Sequence, residues 1–272
     1  MLTRTITGVL FVAAIVASVY YGAYSTGFLF IVIVLLGIDE FYGMVKKNKT
    51  IHPQRIWGDF TGLVLISSAI LYLQGKIDLK YLLVAFILFF FTFIIELYRK
   101  KEHSFINIAY TLLGTIYVTL PFVLLYNLGY YNTIGAEKTF DFQLILGFFI
   151  LLWANDTGAY LAGKFLGKHK LFERISPKKT WEGSIGGGLL TIGLSILIAN
   201  YFDIIDLKHW IAISIIIVVF GGLGDLVESM FKRSLGIKDS GNILPGHGGI
   251  LDRFDGLLIA APFVYSYLYL IR

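Results

Sequence analysis

The uncharged run Leu82-Leu-Val-Ala-Phe-Ile-Leu-Phe-Phe-Phe-Thr-Phe-Ile-Ile95 decides the fold class of this chain. A helix needs about 20 mostly apolar residues to cross the hydrocarbon core of a bilayer, and this run is the centre of such a block at residues 79–98. Similar blocks lie at residues 6–24, 27–45, 56–73, 105–127, 143–166, 184–201, 207–226 and 250–271. The pattern predicts an all-α polytopic integral membrane protein with about nine transmembrane helices.

The overall composition excludes a soluble or a disordered protein. Of the 272 residues, 57% are apolar and 15% are charged, and the mean hydropathy is +0.75. Ordinary soluble domains are about 45–50% apolar and about 25% charged, and a globule of this size could not hide so much apolar surface from water. The chain has no cysteine, which excludes disulfides, thiolate metal sites and a cysteine nucleophile.

Basic residues are distributed unevenly between the segments that join the apolar runs. If nine helices cross the membrane in turn from a cytoplasmic N-terminus, nearly all of the 23 Lys and Arg residues fall on the cytoplasmic side. The exceptions are Lys76, Lys80, Lys138, Lys208 and Arg272. Lys and Arg in short loops mark the cytoplasmic side. We therefore predict a cytoplasmic N-terminus and a C-terminus outside.

This asymmetry also explains the net charge of +5, because basic loops are attracted to anionic lipid head groups. We accordingly predict no nucleic-acid partner. Two long cytoplasmic segments, residues 164–183 and 227–250, differ because their basic residues alternate with Gly, Ser, Asp and His. We predict that residues 1–135 form a scaffold and that residues 136–272 carry the catalytic motifs. Glycine-rich helix faces are compatible with a homodimer.

Carboxylates gather near the ends of two adjacent runs. Asp225 and Glu228 close the eighth run, and Asp252 and Asp255 open the ninth. The i,i+3 spacing places each pair on one helical face. Ionisable residues inside a membrane are costly and usually functional, so two carboxylate faces on either side of one basic loop predict a functional site.

Five further polar residues fall at the same predicted level of the membrane. Asn155 and Asp156 lie past the middle of the sixth run. For Asp39, Glu40 and Asp59 we favour pairing with nearby Lys or Arg, or extension to the membrane interface. Their roles are left open.

Convergent carboxylates among Lys and Arg suit a hard divalent cation together with phosphate oxygens. A transporter would instead place such residues near the membrane midplane, often in two related halves. The sequence shows no internal repeat, and its acidic residues lie towards one end of the bundle. These features favour an enzyme at the cytoplasmic face over an ion-coupled transporter.

The most specific segment covers residues 229–255. It reads Ser229-Met-Phe-Lys232-Arg233, four residues, Lys238-Asp239, then Gly241, Leu244-Pro245 and His247-Gly248-Gly249-Ile250-Leu251-Asp252-Arg253-Phe254-Asp255. A second stretch contains Asn155-Asp156-Thr157-Gly158-Ala159-Tyr160, Gly163-Lys164 and Ile175-Ser176-Pro177-Lys178-Lys179-Thr180-Trp181-Glu182-Gly183. Both stretches resemble motifs of the phosphatidate cytidylyltransferase family, also called CDP-diacylglycerol synthases, and the first shows no departure from the family signature. The resemblance is concentrated in residues 150–256, whereas the N-terminal half matches only as hydrophobic helices.

The resemblance implies that CTP reacts with phosphatidate to give CDP-diacylglycerol and pyrophosphate, assisted by one or more Mg²⁺ ions. It leads us to expect a bacterial plasma membrane as the location, with the active site facing the cytoplasm. Related readings remain open: a CTP-dependent polyprenol or phytol kinase, or a cytidylyltransferase for another phospholipid. The complete run from His247 to Asp255 argues against the kinases, which would release CDP instead of pyrophosphate.

Within this interpretation each motif residue receives a predicted role. The metal ligands would be Asp225 and Asp252, with Glu228 and Asp255 as a second metal site or as their support. The triphosphate and departing pyrophosphate would be held by Lys232, Arg233, Lys238 and Arg253. Substrate phosphates would be bound by Ser176, Lys178, Lys179, Thr180, Asp239 and the backbone at Gly248 and Gly249, with Asn155 and Asp156 orienting a lysine or binding metal. His247 is either a donor to phosphate or a structural hydrogen-bonding residue, and Ser176-Pro177 are expected to start a short helix.

Overall fold

The computed structural model describes residues 2–132, 138–238, 240–241 and 248–272, with side chains from residue 6 onward. Its longer helices before the first strand are α1 (Leu2–Tyr20), α2 (Ala23–Val45), α3 (Arg55–Leu73), α4 (Leu82–Tyr98), α5 (Ser104–Leu128) and α6 (Gln143–Leu166). A 3-10 turn at Leu79–Tyr81 precedes α4. After α6 come two short strands, β1 (Lys170–Phe172) and β2 (Ser176–Thr180), and the helices α7 (Trp181–Tyr201), α8 (Leu207–Ile216), α9 (Gly222–Ser234) and α10 (Leu251–Leu270). A π-helical turn at Ile217–Gly221 joins α8 to α9.

The helices match the nine predicted runs within the part of the chain that the structure describes. Seven helical segments there are long and apolar enough to cross a membrane, and the continuous rod Leu207–Ser234 is one of them. α1 contributes a shorter apolar helix, Ile6–Tyr20. α10 has 20 residues but carries Asp252, Arg253 and Asp255 in its first turns. The predicted fold class, an all-α polytopic membrane protein, is confirmed.

The core lies where α2, α5, α6 and α10 meet, and lipid-facing helices surround it. Its fully buried aromatic rings include Phe30, Phe41, Phe122, Phe148 and Phe254. α4 lies outside this core, because its only buried residues are Ala85, Thr92 and Glu96. Such a helix is suited to contact lipid tails along most of its length.

Glycines bring α6 and α7 unusually close together. A Cβ added at Gly158 would lie 2.9 Å from the Cα atom of Gly187, and one added at Gly187 would lie 2.7 Å from the backbone oxygen of Asn155. Small residues let helix backbones approach each other in membranes. These glycines therefore pack two helices of the same chain, and the homodimer stays a prediction.

The eighth predicted helix ends too early in the sequence-based prediction. Residues 227–234 were expected to belong to a cytoplasmic loop, but α9 continues through Ser234. Its first turn carries Asp225 and its last turn carries Lys232 and Arg233. Basic residues near the end of a helix are favoured by the helix dipole, so Lys232 and Arg233 suit the end of a helix that apolar residues begin.

The expected short helix at Ser176-Pro177 is also wrong. Residues Ser176–Thr180 form β2, which pairs antiparallel with β1 in the register Lys170↔Thr180 and Phe172↔Ser176. Proline is tolerated at the start and edge of such a two-stranded hairpin. The helix begins at Trp181, because the hydroxyl of Thr180 accepts a hydrogen bond from the N–H of Gly183 and so caps its first turn.

The division into a scaffold, residues 1–135, and a catalytic half, residues 136–272, stays a prediction. In the structure α10 packs against α5 and α2. Helices from the two sequence halves thus share one core.

The close contact between α6 and α7 can be tested with two equivalent substitutions on α7. We expect Gly187→Ala to destabilise the protein by about 1–3 kcal/mol, because its methyl group overlaps Asn155 in a packed interface. Gly193→Ala is the matched control, since a Cβ there meets no atom within 4 Å and alanine favours a helix by up to about 1 kcal/mol over glycine. Thermal unfolding in detergent should lower the melting temperature only for Gly187→Ala; equal shifts would contradict this packing.

Candidate active site

One cavity collects several of the predicted site residues. It has a volume of about 410 Å³ and lies between α6, the hairpin, α7 and the start of α9. Its lining includes Asn155, Asp156, Lys178, Lys179, Thr180 and Asp225. Residues from four separate elements therefore converge on one space large enough for part of a nucleotide or lipid head group.

An ion pair between two of the lining residues lies in the wall of this cavity. Nζ of Lys179 lies 2.8 Å from Oδ2 of Asp225 and donates to the backbone oxygen of Gly222 at 3.1 Å. Both side chains remain partly exposed, at 25% for Lys179 and 42% for Asp225. The pair ties the hairpin to α9, and its exposure leaves both groups accessible to a ligand.

A second ion cluster joins α9 to α10. Nζ of Lys232 lies 2.5 Å from Oε2 of Glu228, one helical turn earlier, and 2.6 Å from Oδ1 of Asp252. The three side chains are 12%, 2% and 15% exposed. Because charges are so costly to bury alone, one lysine shared by two carboxylates holds these helix ends together.

The other oxygen of Asp252 organises the turn before α10. Its Oδ2 accepts hydrogen bonds from the hydroxyl of Ser240 at 2.7 Å and from the N–H of Gly249 at 3.0 Å. Gly248 has φ +82, and a Cβ there would lie 2.7 Å from the same carboxylate oxygen. Glycine is therefore required at this position both by its backbone conformation and by the nearby carboxylate.

Asp255 links the cavity and the Lys232 cluster electrostatically. Its carboxylate experiences the charges of Asp225, Glu228 and Asp156, while its Oδ1 accepts a hydrogen bond from the N–H of Gly256 at 2.7 Å. Asp156 in turn experiences the charges of Asp225, Lys179 and Arg253. The cavity and the Lys232 cluster thus form one acidic region with lysines at both sides.

The donor atoms suit Mg²⁺, which prefers carboxylate oxygens completed by water and substrate phosphates. Oε1 of Glu228 is buried and has no hydrogen-bond partner among the described residues, so it is one oxygen available to a cation. No group of three acidic or histidine side chains within the described ranges is arranged as a ready metal site. Lys179 pairs with Asp225, and Lys232 pairs with Asp252 and with the other carboxylate oxygen of Glu228. Magnesium binding therefore stays a prediction.

The other predicted site residues lie around this region or outside the described residues. Arg233, Lys238 and Arg253 are exposed, and Ser176 begins β2 opposite Phe172. Asp239 and His247 lie outside the part of the chain that the structure describes. The structure thus brings together the carboxylates and three of the lysines, Lys178, Lys179 and Lys232, while the roles assigned to all of these residues remain predictions.

Asp39, Glu40 and Asp59, whose roles the sequence left open, differ in their partners. Asp39 forms an ion pair with Arg55, as the pairing interpretation expected. Glu40 has no such partner in the described structure; instead it accepts the backbone N–H groups of Ile250 and Leu251. Oδ1 of Asp59 is buried without a hydrogen-bond partner among the described residues. Pairing with Lys or Arg was therefore wrong for Glu40.

Sequence reasoning also missed residues whose signal was weak. Ser240 lies inside the signature but was assigned no role, although it donates to Asp252. The π-helical turn supplies Val218 and Gly221 to the cavity wall, and a single π turn inside an apolar run leaves no hydropathy signal. Glu40 had a signal, because its predicted depth matched that of the site, but its partner lies 210 positions away.

Comparison with known proteins identifies the family of this chain. A sequence model described as the cytidylyltransferase family matches residues 2–271. A phosphatidate cytidylyltransferase from Staphylococcus haemolyticus is 35% identical over 269 residues, which cover 96% of both chains. Proteins of the same name from Staphylococcus aureus and Staphylococcus saprophyticus are 43% and 42% identical over 165 residues, or 60% of each chain. This chain belongs to the cytidylyltransferase family.

The shared lysine can be tested by its effect on stability. We expect Lys232→Gln to destabilise the protein by about 3–5 kcal/mol, because it leaves Glu228 and Asp252 as buried carboxylates without their cation. Adding Glu228→Gln should recover part of the loss, since one of the two uncompensated charges is removed. Thermal unfolding in detergent measures both effects.

Lys238→Gln provides the matched control, because Lys238 is exposed and such surface changes fall within about 0.5 kcal/mol. A Lys232→Gln protein as stable as this control would show that the cluster does not hold α9 and α10 together.

Proposed function

We propose that this membrane protein transfers the cytidylyl group of CTP to phosphatidate, forming CDP-diacylglycerol and pyrophosphate. The observation that carries the proposal is the cavity in which Asp156, Lys178, Lys179 and Asp225 meet beside the Lys232 cluster. The full-length relative named phosphatidate cytidylyltransferase supports the same reaction. CTP and a phosphatidate held in the bilayer are the partners, and the reaction requires no nucleic acid.

The chemistry needs alignment and charge neutralisation more than a strong base. An oxygen of the phosphatidate phosphate attacks the α-phosphorus of CTP, and the bond from that phosphorus to the bridging oxygen of the β-phosphate breaks. Pyrophosphate leaves with the electron pair of that bond. The attacking phosphate is already anionic, so the barrier arises mainly from charge repulsion and from positioning the two substrates.

The basic residues of the region would lower that repulsion. Lys178 and Lys179 at the cavity wall are placed to bind substrate phosphate oxygens. Lys232, Arg233, Lys238 and Arg253 would hold the triphosphate and stabilise the departing pyrophosphate. Bound Mg²⁺, held by Asp225 and Asp252 with Glu228 and Asp255 in support, would neutralise phosphate charge and orient the reacting groups.

The site is expected to face the cytoplasm of a bacterial plasma membrane. The region is built from the C-terminal parts of α6 and the α8–α9 rod and from the N-terminal parts of α7 and α10. Helices that alternate in direction place these parts on one side of a membrane, and that side also carries most Lys and Arg residues. A soluble nucleotide and a leaflet lipid can both reach such a location.

The reaction can be tested in detergent with labelled CTP, phosphatidate and Mg²⁺. We expect CDP-diacylglycerol and pyrophosphate in equal amounts, whereas a lipid kinase would release CDP. Asp225→Asn and Asp252→Asn should each reduce turnover by at least about 10²-fold while the protein stays folded, because each removes a negative charge from the proposed metal site.

Asp206→Asn is the matched control, since Asp206 is 76% exposed and precedes α8 at the opposite end of the rod. Its turnover should equal that of the unmodified protein. Formation of no CDP-diacylglycerol from several phosphatidates would refute the proposed function, and normal rates for both site variants would refute the metal assignment.

The orientation can be tested separately because the chain contains no cysteine. We expect a membrane-impermeant maleimide added to intact cells to label Lys208→Cys but not Lys170→Cys, since these exposed positions lie on opposite sides in the proposed topology. Both variants should react after the membrane is opened. The reverse labelling pattern would place the site outside the cytoplasm.

A further inference from the structure

A carboxylate from the N-terminal part of the chain holds the backbone at the start of α10. Oε2 of Glu40 accepts the N–H of Ile250 at 2.7 Å, and Oε1 accepts the N–H of Leu251 at 3.2 Å. Glu40 is only 5% exposed. A side chain near the end of α2 thus caps a helix that begins 211 residues later.

This contact satisfies groups that the helix itself cannot satisfy. The first N–H groups of a helix have no partner within it, and the helix dipole favours a negative charge at this end. The N-cap residue of α10, Ile250, makes no side-chain capping hydrogen bond. Glu40 fills that role, and the two N–H donors compensate its buried charge.

The turn that Glu40 caps, residues 249–251, directly precedes Asp252. Three successive N–H groups are divided between two carboxylates: Gly249 donates to Asp252, while Ile250 and Leu251 donate to Glu40. Asp252 also binds Lys232. The direction in which Asp252 points therefore depends on a turn whose next two amides are fixed by Glu40.

Two glycines of the signature pack closely against the carboxylate of Glu40. A methyl group at Gly249 would overlap the carboxylate of Glu40 and the hydroxyl of Ser240, and one at Gly241 would lie 3.0 Å from Oε2 of Glu40. The turn is thus shaped to admit this side chain at close range. Such complementarity is expected where a glutamate positions the backbone, and a glutamate that only reached the membrane interface would not need it.

We propose that Glu40 is a positioning residue for the catalytic region: it fixes the turn at residues 249–251 and through it the orientation of Asp252. The inference rests on the proposed function for its effect on turnover, while its effect on the turn is independent of that function. Loss of a group that orients a functional side chain typically lowers activity by about 10- to 100-fold.

The test compares Glu40→Gln with Glu96→Gln, a matched change at a second buried glutamate. Glu96 is 2% exposed and is bound by Gln54, Arg99 and Asn107, away from α10. We expect Glu40→Gln to lower kcat per folded protein by about 10- to 100-fold, because it replaces one of the two accepting oxygens with an NH2 group, which donates and cannot accept. Glu96→Gln should leave kcat per folded protein within about twofold of the unmodified protein.

Hydrogen exchange on the same purified proteins separates positioning from general stability. Glu40→Gln should accelerate exchange in a peptide covering residues 248–256, while the rest of α10 and α2 keep their protection. Glu40→Asp retains the charge and both acceptors on a shorter stem, so its exchange and kcat should lie between those of Glu40→Gln and the unmodified protein. This variant carries the test if Glu40→Gln does not fold.

Equal kcat for the two glutamine variants, or accelerated exchange spread evenly over α2 and α10, would overturn the proposal. If the unmodified protein forms no CDP-diacylglycerol, the proposed function fails, and exchange at residues 248–256 alone decides the role of Glu40. Unchanged exchange there in both Glu40 variants would reject it.

Discussion

The ion cluster around Lys232 is the interaction on which the candidate site depends. Two carboxylates, from α9 and α10, share this one ammonium group at 2.5 and 2.6 Å. A buried charge without a partner costs several kcal/mol, so neither helix end can move away without exposing or abandoning a charge. The contact needs α9 to continue beyond its apolar part, because Lys232 lies one turn after Glu228. The length of α9 and the position of α10 are thus linked by charge pairing.

The same requirement joins helices from the two halves of the sequence. Glu40 on α2 finds its hydrogen-bond donors in the backbone at the start of α10, and Phe254 on α10 packs against Phe122 of α5. A carboxylate in a low-dielectric interior must find donors wherever the fold provides them. The N-terminal helices consequently supply both lipid-facing surface and a contact to the turn that carries Asp252.

Hydropathy predicted the helices well because about 20 consecutive apolar residues have few alternatives to a membrane span. It placed the end of the eighth run too early, since Glu228, Lys232 and Arg233 are polar but remain helical. It also missed β1 and β2, whose three- and five-residue lengths leave almost no periodic signal. Among site residues, the i,i+3 spacing indicated which carboxylates share a face. The partners of Glu40 and the sharing of Lys232 depend on tertiary packing, which spacing along one helix does not specify.

Charge balance gives a reason why the proposed reaction needs cations beyond those already paired. Lys179 and Lys232 lie among five carboxylates of the region, namely those of Asp156, Asp225, Glu228, Asp252 and Asp255. Two anionic substrates brought to such a surface would be repelled, and repulsion in a partly buried site is screened less than in water. The exposed Arg233, Lys238 and Arg253 reduce this repulsion from the rim, but a cation at the carboxylates themselves would reverse its sign. The crowding of five acidic side chains is therefore a physical argument for Mg²⁺ in the proposed function, since a divalent cation stabilises the ionised forms that neighbouring acids disfavour in one another.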